Sequence, residues 1–250
     1  MWTRKPGIKP IPERVRAPDH VKGHPETGEM YETLVRLASR PEVRTVIEIG
    51  STDGLGSTQA LREGLERNPN YPRVRLCCIE PVAAMFERLR LGAAPYMRCY
   101  RVSSVPPELH YTDDEIRQFF AEDYPRQPYV TPEQKQDPAW HIRERDRYIE
   151  YFLRYRLPLD GIELIKREER IQTFDLALVD GSTYTGRADM RAVYGARYLV
   201  LDDVHTLKCC WAFRDLERDP AYRRIMYHPC TSGHFGYAAF ERIDREEATA

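Results

Sequence analysis

Three stretches of this chain are apolar runs of strand length that stop at acidic and small polar residues. They are Thr45-Val46-Ile47-Glu48-Ile49-Gly50, Phe174-Asp175-Leu176-Ala177-Leu178-Val179-Asp180-Gly181 and Arg197-Tyr198-Leu199-Val200-Leu201-Asp202-Asp203. A continuous apolar run marks a strand covered on both faces, the situation of a parallel sheet held between helices. Acids at the ends of such runs collect at the carboxyl edge of the sheet, where open α/β folds bind ligands. The sequence therefore predicts an α/β fold whose function sits at that edge.

Further elements fit the alternation. Val74-Arg75-Leu76-Cys77-Cys78-Ile79-Glu80 reads as a second strand ending in an acid, and a third strand runs from about Tyr96 to Val105, carrying Ser103-Ser104 near its end. Helices are expected over Glu29–Ser39, Ser57–Arg67 and Val82–Leu91, from the spacing of their apolar residues. Late in the chain, a helix from about Leu207 to Leu216 precedes two strands, Arg223–His228 and Gly236–Arg242, joined by a turn containing Gly233.

The turn after the first strand reads Glu48-Ile49-Gly50-Ser51-Thr52-Asp53-Gly54-Leu55-Gly56-Ser57-Thr58. Glycines there allow positive φ and close backbone approach, and the following helix start presents free N–H groups. One reading is a cradle for a compact ligand; the other is a tight connection that uses glycine for steric reasons alone. The dinucleotide fingerprint does not fit, because Gly50, Gly54 and Gly56 are wrongly spaced. That disfavours a nicotinamide-dependent oxidoreductase, the first alternative. A non-catalytic binding module that keeps the pocket is the second.

With Glu80 and the acids at 180, 202 and 203, this turn resembles the E-x-G-x-x-x-G motif of the class I S-adenosylmethionine-dependent methyltransferases. The resemblance spans roughly residues 30–243. It implies a Rossmann-like, seven-stranded, mostly parallel sheet with helices on both faces and a C-terminal antiparallel hairpin. It also implies that S-adenosyl-L-methionine is held by Glu48, Gly50, Ser51, Gly54, Gly56, Ser57, Glu80, Ser103, Ser104 and Asp180, with Glu80 on the ribose. Within the superfamily the pattern is nearest to small-molecule and sugar O-methyltransferases of the macrocin type, in which Asp180, Asp202 and Asp203 would bind Mg²⁺. The expected activity is methyl transfer to a hydroxyl of a small metabolite, such as a sugar or glycosylated natural product. Asp180, Asp203 and the neighbouring His205 are its candidate catalytic residues. Structural alternatives stand beside these roles: Asp203 as a helix cap, His205 as a solvated side chain, and Ser103 and Ser104 as capping groups.

Composition excludes other classes. With 250 residues and a formal net charge of -1, the chain has no basic excess to bind nucleic acid. It has no apolar run long enough for a membrane span and no signal-like start at Met1, so a cytoplasmic location is expected. Cys77-Cys78, Cys99, Cys209-Cys210 and Cys230 lack metal or redox spacing and read as small buried hydrophobes.

Two departures from a minimal sheet stand out. Residues 1–28 are rich in proline and charge and read as an arm before a domain over 29–250. Residues 106–173 are too long for a simple connection and are read as a helical insertion between strands 3 and 4. Thr112 with Glu115 predicts a capping box, and Asp137-Pro138 a second helix start. Trp140, His141, Tyr148, Tyr151, Phe152 and Tyr155 then line one helical face, as a lid or substrate wall, or as a surface packed on the sheet or on a second copy in a homo-oligomer.

Overall fold

A computed structural model describes residues 25–127, 137–230 and 235–243. The sheet strands are β1 (Thr45–Ile49), β2 (Arg75–Ile79), β3 (Met97–Tyr100), β4 (Leu176–Val179), β5 (Tyr198–Asp202), β6 (Tyr222–His228) and β7 (Tyr237–Arg242). The helices among them are α1 (Pro25–Ala38), α2 (Ser57–Arg67), α3 (Ala83–Leu91), α4 (Asp113–Gln118), α5 (Pro138–Arg154), α6 (Gly161–Glu169), α7 (Gly186–Ala192) and α8 (Cys210–Glu217).

The seven strands form one sheet in the order β3-β2-β1-β4-β5-β7-β6. The first five are parallel, and β7 runs antiparallel to both β5 and β6. This is the mostly parallel Rossmann-like sheet expected from the sequence. The chain order reverses at β1, where the strand leading to β2 on one side lies beside β4 on the other. Such a switch point opens a crevice at the carboxyl ends of the strands.

Strand periodicity sorts the core into two layers. Ile47, Ile49, Cys77, Ile79, Ala177, Val179, Leu199 and Leu201 pack against α6, α7 and α8 through residues such as Ile162, Ile165, Met190 and Leu216. Val46, Leu76, Cys78, Leu176, Leu178, Tyr198 and Val200 pack on the other face against α1 and α2. Cys77 and Cys78 thus face opposite ways, each as an ordinary core residue.

Several boundaries differ from those read in the sequence. The first helix begins at Pro25, inside the stretch assigned to the arm, because proline suits the first turn of a helix. The rest of the arm, and Gly233 of the hairpin turn, lie outside the described residues. β3 ends at Tyr100 rather than Val105. Among the described residues it is an edge strand paired with β2, which ends at Ile79, and the bond from Glu80 N to Tyr100 O closes the ladder. The last crossover helix begins at Cys210 rather than Leu207, because residues 204–209 form a loop.

The insertion is helical, with both expected starts present. Thr112 and Glu115 form the capping box of α4, and the Asp137 side chain accepts from Ala139 N at the start of α5. Its last helix, α6, belongs to the sheet: Ile162 and Ile165 lie in the core, so it is the crossover between β3 and β4.

Candidate active site

The turn after β1 has the backbone its glycines foretold. Gly50, Gly54 and Gly56 all have positive φ, at 94°, 82° and 82°. A side chain at Gly50 is impossible, since its Cβ would lie 2.2 Å from the carbonyl oxygen of Asp180. The turn therefore rests directly on the end of β4.

Glu48 points from β1 toward α2. It is fully buried, and its two oxygens accept from Ser57 Oγ and Thr58 Oγ1, each at 2.7 Å. Burial pushes its carboxyl upward, while the hydroxyls of Thr58, Ser51 and Ser57 oppose that shift. Both oxygens brace the turn against the first turn of α2.

Glu80, one residue past β2, is 4 % exposed. Its Oε1 accepts from Val82 N at 2.7 Å, which orients the carboxyl. Burial raises its pKa to about 7, against bonds from the backbone of Val82 and Thr52 that lower it. Glu48 and Ile49 pair with Cys78 and Ile79, so Glu80 and the glycine turn stand side by side at adjacent strand ends.

Ser103 and Ser104 follow β3, and both make bonds within the fold. Their carbonyls accept from Gly161 N and Ile162 N, satisfying free amides at the start of α6. Ser103 Oγ donates to Val105 O at 2.8 Å, and the Ser104 hydroxyl bonds Asp189. Asp189 is completely buried, takes a second bond from Thr185 Oγ1 at 2.7 Å, and is raised by burial to about 6.

The ends of β4 and β5 bring Asp180, Asp202 and Asp203 together. One carboxylate oxygen from each lies within 4.8 Å of the others. Between them sits a group that the sequence reading passed over, the ammonium of Lys208. Its Nζ is 2.6 Å from Asp180 Oδ1, 2.6 Å from Asp203 Oδ2 and 3.8 Å from Asp202 Oδ2. Burial alone would depress this ammonium, but the charges of Asp180, Asp203 and Asp202 override it and hold Lys208 well above its ordinary value. Asp202 is pushed upward by burial and by the charges of Asp203 and Asp180. Asp180 is raised by burial too, with Lys208 pulling the other way. A signal for Lys208 was present: it is the one side chain charged at neutral pH in Leu207-Lys208-Cys209-Cys210, whose other members are buried, and a charge in such company needs a partner.

His205 is held elsewhere in the same loop. Its Nδ1 lies 3.1 Å from Gln127 Oε1 and its Nε2 lies 2.8 Å from the Tyr227 hydroxyl. An amide oxygen can only accept, so Nδ1 carries the proton and Nε2 accepts from Tyr227. Burial lowers its pKa, which disfavours the charged imidazolium.

The insertion covers the edge from above. The Tyr151 hydroxyl of α5 accepts from Ala83 N at 3.2 Å and donates to Pro81 O at 3.3 Å, fastening the helix to the turn that follows Glu80. One turn earlier, the Tyr148 ring stands 6.2 Å from that of Tyr184, the residue after the β4 turn, and Glu80 contributes to raising the Tyr148 phenol. Tyr111 reaches down in the same way, its hydroxyl donating to Lys208 O and accepting from Arg187 N. The aromatic stripe is thus divided: His141 and Phe152 are buried and pack within the fold, whereas Tyr148 and Tyr155 are exposed.

No family model and no curated protein matches the sequence. Among solved structures, a cofactor-bound protein from MTB, Rv0187, superposes with a TM-score of 0.50 at 15% identity, over 86% of this chain and 79% of that one. An SAH-bound methyltransferase from Podospora anserina, PaMTH1, gives a TM-score of 0.49 at 13% identity, over 92% and 84%. The calicheamicin methyltransferase CalS11 gives 0.42 at 16% identity, over 86% and 78%. At these identities the likeness is one of fold.

Proposed function

We propose that this chain binds S-adenosylmethionine at the ends of β1 and β2 and transfers its methyl group to a hydroxyl of a small metabolite. The observation that carries the reading is the pairing of a positive-φ glycine turn with Glu80 at the neighbouring strand end. A carboxylate in that place accepts from ribose hydroxyls, and the backbone amides at the start of α2, which has no side-chain cap, receive the carboxylate end of an amino acid. The Rossmann-like fold shared with a cofactor-bound structure supports this reading. The broken dinucleotide fingerprint leaves the nicotinamide alternative without support.

The bound donor supplies a methyl group on a sulfonium centre, and what the protein must add is alignment and a place for the acceptor's proton. Asp180 and Asp203 are our candidates for the latter, as acids at the ends of β4 and β5. His205 would first have to break its bond with Tyr227, so we assign it to holding the loop. Tyr148, exposed and backed by the buried ring of Tyr184, is the wall against which a small acceptor packs.

Calorimetry with S-adenosylhomocysteine tests the reading. One molecule should bind per chain with a micromolar Kd, NAD should give no heat, and Glu80→Ala should weaken binding by about 1 to 3 kcal/mol, roughly 5- to 150-fold. Absence of binding to the folded protein would overturn it.

A further inference from the structure

We propose that Lys208 is the resident cation of the three-carboxylate site, and that this centre works without a divalent metal. Its bearing on catalysis rests on the methyl-transfer reading, whereas the cation assignment stands on geometry alone.

Three carboxylates that converge so closely need positive charge, and hard oxygen donors of this kind would suit Mg²⁺ at about 2.0 to 2.1 Å. The donor set thus fits the ion in chemistry but not in space. An ion bridging Asp180 and Asp203 would have to occupy the position of the Lys208 ammonium, which already lies 2.6 Å from an oxygen of each.

The lysine is also poorly placed to leave. Its side chain is 11 % exposed. Its backbone is fixed on both sides: Lys208 N donates to Thr206 Oγ1, and Lys208 O accepts from the Tyr111 hydroxyl. That carbonyl also lies so close to Gly186 that a Cβ there would come within 2.0 Å of it. The loop therefore delivers the ammonium from a stationary base. Asp203, itself at φ 54°, accepts from Thr206 N and closes the turn from which the lysine projects.

Chain chemistry follows from this. An ammonium between Asp180 and Asp203 holds both carboxylates at fixed separation and compensates part of their charge, as a metal would, but it offers no open coordination position. Lys208 is accordingly a positioning residue for the two acids.

The test is Mn²⁺ binding to full-length protein stripped of metal, read by the loss of the free-ion paramagnetic resonance signal. The wild type should bind no Mn²⁺ below about 1 mM and show no Mn²⁺-dependent rise in Tm. Lys208→Met, which removes the charge at similar volume, should gain one site at least tenfold tighter, with Tm rising as Mn²⁺ is added. Adding Asp202→Asn or Asp203→Asn should abolish that gain. Tight Mn²⁺ binding by the wild type that is lost in Asp203→Asn overturns the proposal, and so does a folded Lys208→Met that gains nothing. Should Lys208→Met not fold, the wild type against Asp203→Asn decides alone. S-adenosylhomocysteine titrated into the same wild-type sample reports on the methyl-transfer reading separately.

Discussion

Glu80 makes a prediction that depends on one residue. Its pKa is about 7 in the folded protein against an ordinary 4.5, with burial as the main cause. A carboxyl raised in this way contributes stability that is fully present below 4.5 and is lost as pH rises through 7, because the unfolded chain ionises first. The difference corresponds to roughly 3 kcal/mol. Urea unfolding of the ligand-free protein should show that loss between pH 4.5 and 8, and Glu80→Gln should remove most of it. Ribose hydroxyls donate best to the ionised form, so S-adenosylhomocysteine should bind more tightly as pH rises across the same window. An unchanged pH dependence in Glu80→Gln would separate this carboxyl from both effects. Glu80 was legible in the sequence because a strand-end acid declares itself by its place in a pattern. Lys208 was not, because its meaning lies in three partners from two strand ends, brought together only by folding. Glu48 was half legible: the acid was found, but its commitment to Ser57 and Thr58 depends on the pitch of α2.

Among the elements, α5 was the least legible in placement and is the most informative. Its start and aromatic face could be read from Asp137-Pro138 and the spacing that follows. Where it would lie could not, since an aromatic face packs equally well on a sheet, a loop or another chain. The strands were legible for the opposite reason: a run buried on both faces has few alternatives, and the parallel register leaves little freedom once the order is set. β3 fell short because its end is decided by the length of β2. The structure ties α5 to the Pro81–Ala83 turn through the phenol of Tyr151. Tyr151→Phe should cost about 1 kcal/mol in overall stability. Hydrogen exchange should speed up in α5 ahead of the sheet, and S-adenosylhomocysteine should bind roughly three- to tenfold more weakly as the cover over Glu80 loosens. Equal exchange in α5 with and without the hydroxyl would show that the buried rings of His141 and Phe152 hold the helix unaided.

On the scale of the whole molecule, the two edges of the sheet divide the work. The carboxyl edge gathers Glu80, the glycine turn and the acid–lysine centre, several of them raised in pKa by burial and like charge, an arrangement that costs stability. The amino edge is closed by complementary bonds. Asp175 accepts from Arg44 N and from both N and Oγ1 of Thr45, locking β4 to β1. Tyr198, at the start of β5, accepts from Arg40 at 2.6 Å and donates to Glu42 at 2.8 Å, with Glu241 of β7 at 3.2 Å. If this division is physical, the two edges respond oppositely to mutation. Tyr198→Phe keeps the buried ring but strips a shared hydroxyl from Arg40, Glu42 and Glu241. Because Arg40 and Glu42 are each about a third exposed, water replaces part of what is lost, and the expected cost is about 1 to 2 kcal/mol. Its affinity for S-adenosylhomocysteine should match that of the wild type. Glu80→Ala should do the reverse, keeping or raising stability at pH 8 while weakening binding. Denaturant midpoints and calorimetry on the two variants check both halves. If Tyr198→Phe also weakened binding, the sheet would be transmitting strain from one edge to the other, and the amino edge would have to be counted as part of the site.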